Sequence, residues 1–155
     1  MGKTRLAVRG VLVHENQIGI MYVNEHDCYL FPGGALEENE TQEECLIREM
    51  EEETGYLVEV VDHLAQVIYV EGEMTHHNEI FLCQVIGQGE EHKTELEINW
   101  GIDFTYRTIQ QLQHDCEIQL ANYPKSMIHQ SLCQVVYAVI NKLTQRGLID
   151  NGNSK

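Results

Sequence analysis

GALEENETQEECLIREMEEETGY, residues 34–56, holds nine glutamates, one arginine and no lysine in 23 positions. Thr41 with Glu44 three residues on is a capping box, in which each residue satisfies a backbone N–H that a helix start would leave free. Gly55 suits the other end, because glycine tolerates the positive φ of a helix stop. Between them Leu46, Ile47 and Met50 recur at helical spacing, so the segment is predicted to be an amphipathic helix. Glu49, Glu52 and Glu53 stand at i, i+3 and i+4, which puts three carboxylates on one side, away from the Leu46 and Met50 stripe. Like charges so spaced oppose a helix by about 0.2–0.5 kcal/mol per pair. Two readings fit: a solvated acidic face, or a cage of hard oxygen ligands for Mg²⁺ or Mn²⁺. Arg48, four residues before Glu52, either fixes a carboxylate in one orientation or forms an exposed ion pair of little value.

Upstream, residues 5–13 (RLAVRGVLV) and 18–23 (IGIMYV) read as strands, paired as a hairpin through HENQ. CYLF is a short extended piece and Pro32-Gly33-Gly34 a sharp break. Downstream, 57–70 and 79–86 read as strands, GQGEEHKTE as a polar loop, and DFTY (103–106) as a further strand. His76, His77 and Asn78 read as an exposed turn, or else as a phosphate contact. A short helix is expected from Thr108. From about Lys125 a longer one carries Ile128, Leu132, Val135, Val136, Val139 and Leu143 on one face. That face either covers the sheet or meets a second subunit, as in a homodimer. The succession predicts an α/β fold, a sandwich with a mixed β-sheet between helices. One domain over 1–150 and a frayed tail at 151–155 are expected.

The chain has 155 residues, a formal net charge of −15, 43% hydrophobic residues and two prolines, which fits a globular protein. Its acidity opposes a non-specific grip on nucleic acid, which needs a basic surface. It leaves nucleotides open as substrates, because a bound cation reverses the local charge. Five cysteines, with no C-x-x-C, argue against a zinc cluster or a disulfide framework. No signal peptide or membrane span is evident, and the expected location is the cytoplasm.

Reading on from Gly34 there are five residues, Glu40, seven more, Arg48-Glu49, apolar Met50, Glu51, Glu52-Glu53, Thr54, Gly55 and Tyr56. This array closely resembles the signature of the Nudix hydrolases. Met50 and Tyr56 stand where branched aliphatics are commonest, and both remain apolar. The resemblance implies a Nudix-type α/β/α sandwich and Mg²⁺- or Mn²⁺-dependent hydrolysis of a nucleoside diphosphate linked to a moiety X. It implies Glu49, Glu52 and Glu53 as metal ligands, with Gly34 near the metal. Arg48 becomes the orienting partner, while Glu40 and Gly55 support the loop and the helix end. Glu52 is the first choice for the base that activates water. A later glutamate is the alternative, with Glu97, Glu95 and Glu79 as candidates. Trp100 is placed to stack on a base, and Arg9 to meet a substrate phosphate. The proline that marks the ADP-ribose type and the tyrosine that marks the dinucleoside polyphosphate type are both out of place. By elimination a nucleoside triphosphate or a modified nucleotide leads. Two rivals are a nucleotide-binding module without turnover and a diphosphate-substrate isomerase, the latter drawing on Cys28 or Cys83.

Overall fold

The structure, a computed structural model, describes residues 2–151. Beyond Asn151, the expected tail lies outside the described residues. Strand β1 (Lys3–Val11) is the axis of the first sheet. It pairs antiparallel with the short β5 (Gly33–Ala35) and parallel with β7 (Met74–Gln88), setting Arg9 opposite Gly33 and Ile80. β7 in turn pairs antiparallel with β6 (Tyr56–Glu71), which gives the order β5-β1-β7-β6. The sheet is therefore mixed. The last five residues of β1 are all buried, as expected of a strand covered on both faces.

The expected hairpin between 5–13 and 18–23 is corrected. The chain leaves the first sheet at Leu12, and only β2 (Val13–His14) returns against β3 (Gln17–Val23). Glu15 and Asn16, both at positive φ (50° and 60°), make the tight turn between them, the backbone a two-residue hairpin favours. β3 also pairs with β4 (Cys28–Leu30) and with β8 (Ile102–Arg107), completing a second sheet. The strand expected at 79–86 begins earlier, at Met74, so His76, His77 and Asn78 are strand residues rather than a turn. The expected polar loop is shorter than read. β7 runs to Gln88, and a short helix α2 (Glu95–Trp100) follows a Thr94–Glu97 capping box.

Helix α1 (Gln42–Thr54) lies on one side of the first sheet. It buries Cys45, Leu46 and Met50 with Val8, Leu12, Val58 and Cys83. Gly10 permits this approach, since a Cβ there would stand 2.6 Å from Met50 Sδ. Helices α3 (Ile109–Asn122) and α4 (Met127–Gln145) close the larger core, where Leu112, Val136, Val139 and Leu143 join Val11, Val67 and Ile80. The apolar face of α4 thus covers the sheet. Among the described residues, no helix is long and apolar enough to cross a membrane.

Candidate active site

The site is built where β5 meets α1. Thr41 Oγ1 accepts from the Glu44 amide at 3.1 Å, and Glu44 Oε1 accepts from the Thr41 amide at 2.9 Å, so the capping box read in the sequence is formed. Gly55 closes the helix at φ 80°. With its ends fixed, α1 holds its acidic ridge against the loop that leads into it.

Arg48 is the hub of the ridge. Its Nε donates to Glu40 Oε2 at 2.7 Å and its Nη2 to Glu40 Oε1 at 3.1 Å, a two-point grip on one carboxylate. Its Nη1 donates to Glu49 Oε1 at 3.1 Å and to Glu52 Oε2 at 3.4 Å. These bonds hold the Glu40 carboxyl down to about 2, with the Arg48 hydrogen bonds the largest cause and the Glu37 amide helping. The guanidinium is correspondingly raised, chiefly by Glu40. Of the two readings of Arg48, the oriented one describes the geometry: one cation ties three carboxylates from a loop and two helix positions.

Glu53 is different. It is only 8% exposed, and its Oε2 accepts from the Gly33 amide at 2.7 Å. Burial pushes its carboxyl up to about 8, against the pull of that amide. Burial also raises Glu49, and Arg48 opposes the rise. Glu49 presses on the backbone of Gly34, where a Cβ would lie 2.8 Å from Glu49 Oε1. A glycine is needed at that point for the carboxylate to come so close.

Behind Glu53 stands Arg9, 9% exposed, with Nη1 donating to the Phe31 carbonyl at 3.1 Å and Nε to Asn78 Oδ1 at 3.4 Å. Burial lowers its pKa, and Glu53, when ionised, is the largest opposing influence. Asn78, 4% exposed, was not legible as a partner from sequence, because it lies 69 residues from Arg9 and only the β1–β7 pairing joins them.

The other candidates disperse. Glu79 accepts from Gln66 Nε2 and contacts His63 Nε2 at 2.7 Å. Glu97 spends its carboxylate on the amide of Thr94 at 2.8 Å, although its charge still reaches Glu53. Glu95 opens α2 and is exposed. The Trp100 ring stands edge-on to His26, with centroids 4.7 Å apart. Cys28 and Cys83 are buried, and burial pushes their thiols up to about 11 and about 12.

Among the described residues, no three His, Cys, Asp or Glu side chains stand ready-clustered as a metal cage. Arg48 lies between Glu49 and Glu52, and Glu53 turns to Gly33. The donor set nevertheless suits a hard divalent cation: all its ligating atoms are oxygens, and the two raised carboxyls are those a cation would return to the charged form.

The solved structures of similar shape include a UDP-X diphosphatase, at 23% identity over 71% of this chain, with a TM-score of 0.58. This chain spans about half of that one, 53%. A NUDIX hydrolase from Nitrosomonas europaea matches over 90% of this chain and 91% of its own, with a TM-score of 0.67 and 17% identity. A MutT protein from Methanosarcina mazei Go1 matches over 72% and 81% of the two chains, with a TM-score of 0.55 and 17% identity. No curated protein matches. At these identities the likeness concerns the fold. The NUDIX domain profile, by contrast, matches residues 3–115, which takes in β1, the whole of α1 with its arginine and glutamates, both sheets and the start of α3; on that match the chain belongs to the NUDIX domain family.

Proposed function

We propose that this protein is a hydrolase that cleaves a pyrophosphate bond in a nucleoside triphosphate or a modified nucleotide, of the nucleoside diphosphate–X kind, with Mg²⁺ or Mn²⁺. The observation that carries the reading is the α1 ridge, where Arg48 organises Glu40, Glu49 and Glu52 beside the buried Glu53. The name of one similar fold, UDP-X diphosphatase, supports the same substrate class.

Glu49, Glu52 and Glu53, with the Gly34 backbone, are the residues that would hold the metal. A divalent cation supplies charge neutralisation of the phosphates and a lower pKa for water. The chain's own groups do the rest. Glu52 has a side chain 40% exposed, the most accessible of the three, so it is placed to take the proton of the attacking water. Arg48 fixes where Glu49 and Glu52 point. Glu40, held ionised, keeps Arg48 in place. Arg9 sets a fixed positive charge behind Glu53. Glu79, Glu97 and Trp100 remain proposed substrate contacts. The net charge of −15 favours a small nucleotide over a nucleic acid, and the cytoplasm is the proposed location.

The test is a panel of nucleotides with Mg²⁺ or Mn²⁺, read by release of phosphate or pyrophosphate. Glu52→Gln should lower kcat by about 10²–10⁴-fold, the range for loss of a general base, with an unchanged melting profile. A folded Glu52→Gln protein with near-normal kcat would remove Glu52 from the role. A wild-type protein that binds nucleotide without turnover would favour the binding-module reading.

A further inference from the structure

A polar cavity, of about 210 Å³, opens between β3, β4, β8 and α3. Tyr22, Asp27, Tyr29, Arg107, Asp115 and Gln119 line it, and none of them belongs to the α1 ridge. Its groups hold one another in place. Tyr22 donates to Asp27 Oδ1 at 2.6 Å and Tyr29 to Asp115 Oδ2 at 2.6 Å, while Arg107 Nε donates to the Tyr29 hydroxyl at 3.1 Å. The loop is fixed as well, since His129 Nε2 lies 3.2 Å from the Asp27 carbonyl and 2.9 Å from that of His26.

What these bonds leave open defines the ligand. Among the described residues, the second oxygen of each aspartate has no hydrogen-bond partner. The terminal nitrogens of Arg107 have no hydrogen-bond partner among the described residues. Gln119 is only 3% exposed. Its Oε1 meets Cys133 Sγ at 3.8 Å, but its amide nitrogen has no partner among the described residues. That nitrogen is not sealed from solvent, so it is open to donate into the cavity.

Two aspartates and one arginine give this cavity a formal charge of −1, which disfavours a phosphate. Acceptors and donors alternate around a small space, and a hydroxyl group answers both at once. The Tyr22 and Tyr29 rings, with centroids 5.3 Å apart and planes at 60°, supply an apolar wall. The volume lies below the roughly 300–1,000 Å³ of pockets for drug-sized ligands, so the occupant is a single ring. We infer that this cavity is a binding subsite for one neutral polyhydroxylated ring, a sugar, either free or as part of a larger molecule. The inference stands apart from the hydrolytic reading.

The experiment is an amide NMR titration of the metal-free protein, with no turnover required. The probes are a neutral hexose, the same hexose carrying a phosphate, and a nucleoside diphosphate hexose. Saturable shifts on β4 and α3 with the neutral hexose, at a Kd of about 1 mM, are expected for so small a polar ligand. Gln119→Leu and Arg107→Gln should each weaken binding at least about tenfold. Arg107 is only half-buried, so its variant tests the subsite without replacing a fully buried side chain. Saturation by the nucleotide-linked hexose alone, lost in the same two variants, would assign the subsite to a sugar within a nucleotide. No saturable shift with any probe, shifts that both variants retain, or a preference for the phosphorylated hexose would overturn the inference. Failure of hydrolysis in the nucleotide panel would leave this result standing.

Discussion

In the metal-free protein, Glu53→Gln should raise stability near neutral pH. The Glu53 carboxyl moves from a usual 4.5 to about 8 on folding because it is buried. The folded state therefore keeps a proton that the unfolded state gives up. The sign follows: the contribution is fully present below pH 4.5 and is lost as pH rises toward 8. At pH 7 the gap amounts to roughly 3 kcal/mol, taking 1.36 kcal/mol per pH unit above 4.5. Glutamine keeps an oxygen for the Gly33 amide and carries no charge to desolvate, so it escapes this loss. A difference of roughly 3 kcal/mol corresponds to about 6–12 °C in Tm for a chain of this size. The assay is thermal melting in EDTA across pH 5 to pH 8, with wild type and variant side by side. The two curves should lie close at pH 5 and separate toward pH 8, with the variant the more stable. Adding Mg²⁺ or Mn²⁺ should then raise the wild type more than the variant. A separation that does not change with pH, or a variant that melts lower than wild type at pH 8, would refute the argument that Glu53 is held neutral by burial.

Two further outcomes are expected. Leu46→Ala should cost about 2–5 kcal/mol in urea denaturation, because Leu46 is fully buried where α1 meets the sheet. Glu40→Gln should flatten the acid limb of the stability curve. The Glu40 carboxylate is held down to about 2, so its contribution is present above pH 4.5 and is lost as pH falls through 2; equilibrium unfolding at stepped pH reads the change in slope.

The acidic helix was the most legible element, because its signals are local. The cap at Thr41, the stop at Gly55 and the Leu46–Met50 stripe lie within one segment, and the structure forms all of them. The same spacing placed Arg48 within reach of Glu52, as found. Its stronger bond to Glu40 depends on the loop folding back, which spacing alone does not give. The start of α2 carried the same Thr-x-x-Glu signature at Thr94 and Glu97, but the six residues that follow are too few to show an apolar stripe. Strand partners were the least legible. Nothing near residues 5–13 indicates that β1 pairs with residues seventy positions later and leaves the hairpin to two residues after Leu12. The Arg9–Asn78 contact and the cavity around Tyr29 and Asp115 follow from those long-range pairings, so they were hidden for the same reason.

The place of β1 also bears on how the molecule comes to be made. Synthesis delivers this strand before its neighbours, yet it lies inside the sheet, with Lys3 opposite Met74 and Val11 opposite Leu82. Until β7 has left the ribosome, one whole edge of β1 has no partner. Closing so long a loop before any contact rewards it makes for slow folding. A nascent chain halted before residue 74 should therefore be a client for chaperones and proteases.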